Sequence, residues 1–160
     1  MATYSLLMVL AAAFIWLSAG SLPPRVAAHF DASGAANGFM PRDVYLIGVL
    51  SIGVALPLLL LVLTRVAIAR PEADLRLPRS GYWLAPARRP ATIAFIQAWI
   101  GRFGFQFALL ACFVHGLIVR ANRVDPPRLS NSPFYAALIV FGIALVVWIN
   151  SFFNRFRSPE

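Results

Sequence analysis

The chain alternates long apolar runs with short polar ones, and the lengths of those runs set its plan. Four apolar segments stand out, at about 4–22, 44–69, 91–120 and 133–153. At 1.5 Å of rise per residue, about 20 residues cross a hydrocarbon core, so each segment predicts a transmembrane helix. The first, Tyr4–Leu22, carries no charge, and the five residues MATYS around its start carry none either. That favours a retained helix over a cleaved signal peptide, which needs a basic leader. The second contains Pro57, which predicts a kink, and spaces Gly48, Ser51 and Ala55 along one face suited to close helix packing. The third is interrupted by Arg102. An Arg is costly at the bilayer centre, so the expected layout is an interfacial lead-in bearing Ile93, Ile96, Ile100 and Phe103, with Arg102 reaching the headgroups. Gly101 and Gly104, where the crossing begins, are further places for close packing. The fourth is uncharged and has interfacial aromatics at both ends, Phe134 and Tyr135 against Trp148, Phe152 and Phe153.

Composition agrees with this plan. Of 160 residues 60% are apolar and only 12% charged, against roughly a quarter charged in a soluble domain. Formal net charge is +8, and every basic residue is Arg. The absence of Lys together with abundant Ala points to a GC-rich, bacterial genome. The arginines sit between apolar runs and form no stripe, which fits lipid headgroups and excludes a nucleic-acid surface. On the four-helix plan one side holds eight arginines, or nine with Arg102, and the other five. The excess predicts both termini in the cytoplasm of a bacterial inner-membrane protein. The single cysteine, Cys112, lies in an apolar run and reads as a small hydrophobe.

Two polar loops interrupt the apolar pattern. The first, residues 22–43, contains LPPRVAAHFDASGAANGF. Pro23 and Pro24 end the first helix, VAAHFD is short enough to stay extended with His29 and Asp31 on one face, and Ser33-Gly34 and Asn37-Gly38 are turn signals. A compact cap over the helix ends is expected. The second loop, residues 70–90, combines Tyr82 and Trp83 with Arg88 and Arg89, and predicts contact with anionic headgroups or a partner protein. Its carboxylates are Glu72 and Asp74, with no His and no nucleophile–base pair.

The first loop resembles the signature of a bacterial membrane-protein family, the domain of unknown function 1648, through Leu22, Pro23, Arg25, Val26, His29, Phe30, Gly34, Gly38 and Phe39. Ala27 stands where that family usually has a second Pro, and Asn37 where it usually has Asp. The segment Leu75–Ile96, with YWLAPARR, is similar to a run that relatives carry after their second helix, with Ala87 in place of a usual Glu. The same domain occurs in the N-terminal part of the Sdp immunity protein, which implies a role in immunity to a peptide toxin or in signalling.

The expected fold is therefore an all-α integral membrane protein, a single domain of four helices with a turn-rich outer loop and an interfacial segment before the third helix. The expected function is non-enzymatic, by interaction: an accessory subunit of a membrane complex or an immunity- or sensor-like protein. Expected partners are membrane lipids and other subunits or copies of the chain, without a cofactor. A second class is a small-solute or ion transport component working as an oligomer, although the spans carry almost no ionisable group. A third, a metal-dependent membrane enzyme, depends on His29, Asp31 and His115 converging, with Asp125 nearby in the loop that follows the third helix.

Overall fold

The computed structural model describes residues 2–69 and 75–157. Glu72, Asp74 and Arg70 of the second loop lie outside the described residues. A first helix, α1 (Ala2–Ala19), is followed by two strands, β1 (Arg25–Phe30) and β2 (Ala36–Pro41), which pair antiparallel. Helix α2 (Arg42–Leu50) continues through a π-helical turn, Ser51–Ala55, into α3 (Leu56–Ala69). A single-turn helix, α4 (Ser80–Trp83), precedes α5 (Arg89–Ala121), and α6 (Asn131–Arg157) ends the described chain.

Among the described residues three helices are long and apolar enough to cross a membrane: Arg42–Ile68, Arg89–Ala121 and Asn131–Arg157. The first helix falls short of the others, with an apolar stretch of Thr3–Ala19. It ends earlier than expected because Gly20 and Ser21 close a turn and Pro23 has no amide hydrogen to extend the ladder. The expectation of an all-α fold is corrected by the hairpin. The residues of β1 lack a helical stripe, and Val26 and Ala27 are fully buried against the helix ends.

Helix α5 is the axis of the fold. Met8 and Ile15 of α1, Val54 of the π turn and Ala108 of α5 form one buried cluster. Ala19, Leu22, Val26, Tyr45, Ile118 and Val119 form a second beneath the hairpin. At the opposite end, Ile68, Trp83, Ile96 and Phe156 form a third. Helix α6 contacts the bundle mainly through α5, and none of its most apolar window is buried.

The π turn directly precedes Pro57. A proline inside an α-helix clashes with the carbonyl four residues back and removes one donor. A widened turn relieves both, which explains why the break sits at Ser51–Ala55. Close packing there uses a glycine outside the expected face. A Cβ on Gly53 would lie 2.8 Å from Ala111 Cβ, whereas one on Gly48 would meet nothing within 4 Å. Ser51 and Ala55 are exposed, so the predicted small-residue face is open in this chain. A Cβ on Gly104 would run into the Tyr4 hydroxyl and lie 3.3 Å from Pro57 Cβ, so that glycine serves contacts within the chain and is closed to a partner. Gly101 faces Tyr4 more loosely, at 3.9 Å.

The lead-in of α5 also departs from expectation. The helix runs unbroken from Arg89, and Ile93, Ile96 and Ile100 pack against the Trp83–Phe156 cluster instead of lying free in an interface.

Candidate functional site

The motif loop and the end of α5 together form a hydrogen-bonded cap. Its hairpin turns at Asp31–Ala35, where Gly34 takes a φ of +83° that disfavours a side chain. One Asp31 carboxylate oxygen accepts hydrogen bonds from the Ser33 amide (2.8 Å), the Ser33 hydroxyl (2.7 Å) and the Ala35 amide (3.0 Å). These bonds, the Ser33 hydroxyl first, hold the Asp31 carboxyl below its ordinary range. The expected turn at Asn37-Gly38 is instead part of β2, where Gly38 pairs with His29. A Cβ at Gly38 would come within 2.8 Å of His29 Cβ and 3.0 Å of its ring, so the glycine leaves room for the imidazole.

The connection between α5 and α6 locks this turn in place. The Leu129 amide donates to the Gly34 carbonyl (2.8 Å), and Asn131 Nδ2 donates to the Ala32 carbonyl (2.7 Å). A Cβ at Gly34 would collide with the Leu129 carbonyl, a second reason for glycine there. Deeper in, Asn122 behaves as an extra strand. Its Oδ1 accepts from the Ala27 amide (2.8 Å), and its Nδ2 donates to the carbonyls of Ala27 (3.0 Å) and Ile118 (2.9 Å). One side chain therefore satisfies both backbone groups of a buried residue, which would cost a few kcal/mol if left bare.

His115 lies at the centre of the cap, fully buried. A histidine one turn before the end of a membrane helix is expected to point at water, but this ring is enclosed by α1 and α2. Nδ1 is 2.8 Å from the Tyr45 hydroxyl and Nε2 is 2.9 Å from Ser18 Oγ. Ser18 donates its own hydroxyl hydrogen to the Phe14 carbonyl, so its oxygen is free to accept. The pattern assigns the hydrogen to Nε2 and leaves Nδ1 to accept from Tyr45. Tyr45 also stacks on the imidazole, and Phe14 meets it edge-on.

His29, Asp31 and His115 do not converge on a metal. Asp31 is engaged within the turn and His115 by Tyr45 and Ser18, and no group of three or more possible ligands occurs among the described residues. Asp125 is exposed in the loop beyond α5. His29 and His115 do border one groove of about 350 Å³ under the hairpin, but its remaining lining is nearly all apolar, including Met40, Val49 and Ile118. Of the other motif residues, Leu22 is buried, Phe30 packs on the cluster beneath the hairpin, Pro23 is half-buried, and Arg25 and Asn37 are exposed.

The second loop is placed differently from expectation. Trp83 is buried at 5% exposure, edge-on to Phe156 and Tyr82, and its carbonyl accepts from the buried Thr92 hydroxyl (2.9 Å). It is a core residue, and contact with lipid or a partner at that ring is ruled out by its burial. Arg88 lies 4.0 Å above the Tyr82 ring, and Arg155 lies 4.7 Å above Trp83. Arg89 opens α5 and is half-buried, while Arg102 is exposed on that helix. Nearby, Trp99 and Trp148 stack at 3.7 Å, and each indole donates to the other's backbone carbonyl, at 2.8 and 2.7 Å. This reciprocal clasp joins α5 to α6. Charge and aromatic content marked the region in the sequence, but nothing in the spacing singled out Asn122 or the tryptophan pair.

No curated protein and no solved structure matches the chain. Residues 6–53, which span most of α1, the hairpin with its motif and the whole of α2, match the family Domain of unknown function (DUF1648).

Proposed function

We propose that this is a non-enzymatic integral membrane protein that acts by association with other membrane proteins. It is an accessory subunit of a larger complex or an immunity- or sensor-like protein, in the inner membrane of a bacterium with both termini in the cytoplasm. The observation that carries the reading is a groove of about 510 Å³ between α5 and α6. Helix α6 lines it with the small side chains Ala136, Ala137 and Ala144, and α5 contributes Gln106. The Gln106 Oε1 atom is buried without a hydrogen-bonding partner among the described residues. Small residues let a helix approach closely, and an unmet acceptor in an apolar medium favours a neighbour that brings a donor. The resemblance of the motif loop to a domain that also occurs in the N-terminal part of the Sdp immunity protein supports the second form of the proposal.

The test is extraction of the tagged protein from its native membrane in mild detergent, followed by mass spectrometry of the intact assembly. A stoichiometric partner that is lost on Ala137→Trp supports the accessory-subunit form. Recovery of the chain alone, or only as a homo-oligomer, refutes it.

A further inference from the structure

At the end of the bundle away from the hairpin, α1, α3 and α5 enclose a cavity of about 450 Å³ whose lining is divided by chemistry. Arg65, Arg102, Gln97 and Tyr4 supply polar groups, and Leu61 and Phe105 are among the apolar residues that complete it. Among the described residues no carboxylate lines it. Two guanidiniums bordering one cavity repel one another unless an anion lies between them. Two donor atoms there wait for a partner: Arg65 Nε, within one of those guanidiniums, and the Tyr4 hydroxyl are buried with no hydrogen bond among the described residues. A buried donor left without a partner is costly, so an occupant that accepts from both is favoured.

Helix geometry gives the depth. From Arg102 to the end of α5 at Ala121 the helix rises roughly 28 Å, about one hydrocarbon thickness. With the hairpin end of α5 at one membrane boundary, Arg102 stands at the headgroup level of the other. A cavity at that level with cationic and apolar walls is matched to an anionic amphiphile. Guanidinium forks recognise phosphate oxygens bidentately, and Gln97 adds an amide donor.

We propose that this cavity binds the phosphate group of an anionic phospholipid, with Arg65 and Arg102 on its oxygens and an acyl chain against Leu61 and Phe105. The site is independent of the association role proposed above. Mass spectrometry of the intact protein released from micelles tests it, using dioleoyl phosphatidylglycerol, dioleoyl phosphatidylcholine and inorganic phosphate as separate probes. The expected result is one retained phosphatidylglycerol, preferred about tenfold over phosphatidylcholine, as charge-assisted bonding to two arginines implies. Arg65→Gln and Arg102→Gln each abolish the preference, Arg65→Lys keeps part of it, and Arg123→Gln at the hairpin end leaves it intact. Circular dichroism of each variant confirms that the helices persist. A preference unchanged by Arg65→Gln and Arg102→Gln overturns the site. Retention of inorganic phosphate with the same arginine dependence, and no selective retention of the lipid, overturns the lipid as its occupant.

Discussion

At the hairpin end, His115, Tyr45, Ser18 and Asn122 join three helices and a strand through hydrogen bonds with assigned donors and acceptors. At the other end, Trp83, Phe95, Phe152 and Phe156 join α4, α5 and α6 through ring contacts at centroid distances of 4.7–5.6 Å, with arginines above them. The difference concerns what each joint tolerates. A hydrogen-bonded joint fails locally, at the atom deprived of its partner, because its energy resides in a few directional contacts. A ring-packed joint shares many weak contacts, so loss of one large side chain leaves a void that every neighbour feels.

Substitutions separate the two behaviours. The largest effect is expected from Phe156→Ala, since Phe156 is 1% exposed and touches Trp83, Phe95 and Phe152. Truncating a buried Phe costs about 3–5 kcal/mol, and thermal unfolding in detergent should show one cooperative transition at a clearly lower temperature. A melting temperature within a degree or two of wild type would mean that the ring cluster does not hold α6.

Asn122→Ala should cost less, about 1–3 kcal/mol, by leaving the Ala27 amide and carbonyl unsatisfied. Hydrogen exchange should accelerate in β1 and β2 while α5 and α6 near Trp99 and Trp148 stay protected. Uniform acceleration over the whole chain would contradict a local joint.

The smallest effect belongs to pH. The Asp31 carboxyl is held below its ordinary range by its bonds in the hairpin turn, and the free side chain titrates at about 3.9. A depressed folded-state value means that the stabilisation is present above that pH and is lost as pH falls through the folded value. Amide shifts of Ser33 and Ala35 should stay constant from neutral pH to about 4 and move only below it. A midpoint above 4 would show that the carboxylate does not cap this turn.

The two ends also differed in how far the sequence disclosed them. Hydropathy located the long helices because an apolar run of sufficient length leaves the chain few other options, and α5 and α6 begin within two residues of the expected positions. The loop at residues 22–43 was legible as a compact cap, and its extended VAAHFD became β1. Of its two turn signals Ser33-Gly34 holds and Asn37-Gly38 does not; the two are equally good locally, and what decides between them is distant: Leu129 and Asn131 grip only the Ser33-Gly34 turn. His115 was misread for the same reason. Position near a helix end implies water, and only the approach of Ser18 and Tyr45 from two other helices encloses it. Trp83 read as an interfacial aromatic until Phe156, 73 positions later, covered it.

The π turn before Pro57 has an effect beyond accommodating the proline. In α3, Leu61 and Ile68 are buried and recur seven residues apart, continuing from Val54. Extended backward by the same interval the stripe would bury Ile47, yet that residue is 66% exposed and Leu46, one position earlier, packs on the buried clusters in its place, beside the buried Tyr45. The surplus residue in the turn has shifted the phase of the helix by about 100°, the rotation of one α-helical residue. Winding Ser51–Ala55 as an ordinary α-helix, with no residue removed, would bring Ile47 into the stripe and swing the Tyr45 hydroxyl around the helix, away from His115. The meeting of those two side chains is thus timed by an odd count in the backbone, in the way that one extra tooth on a gear sets where two marks align.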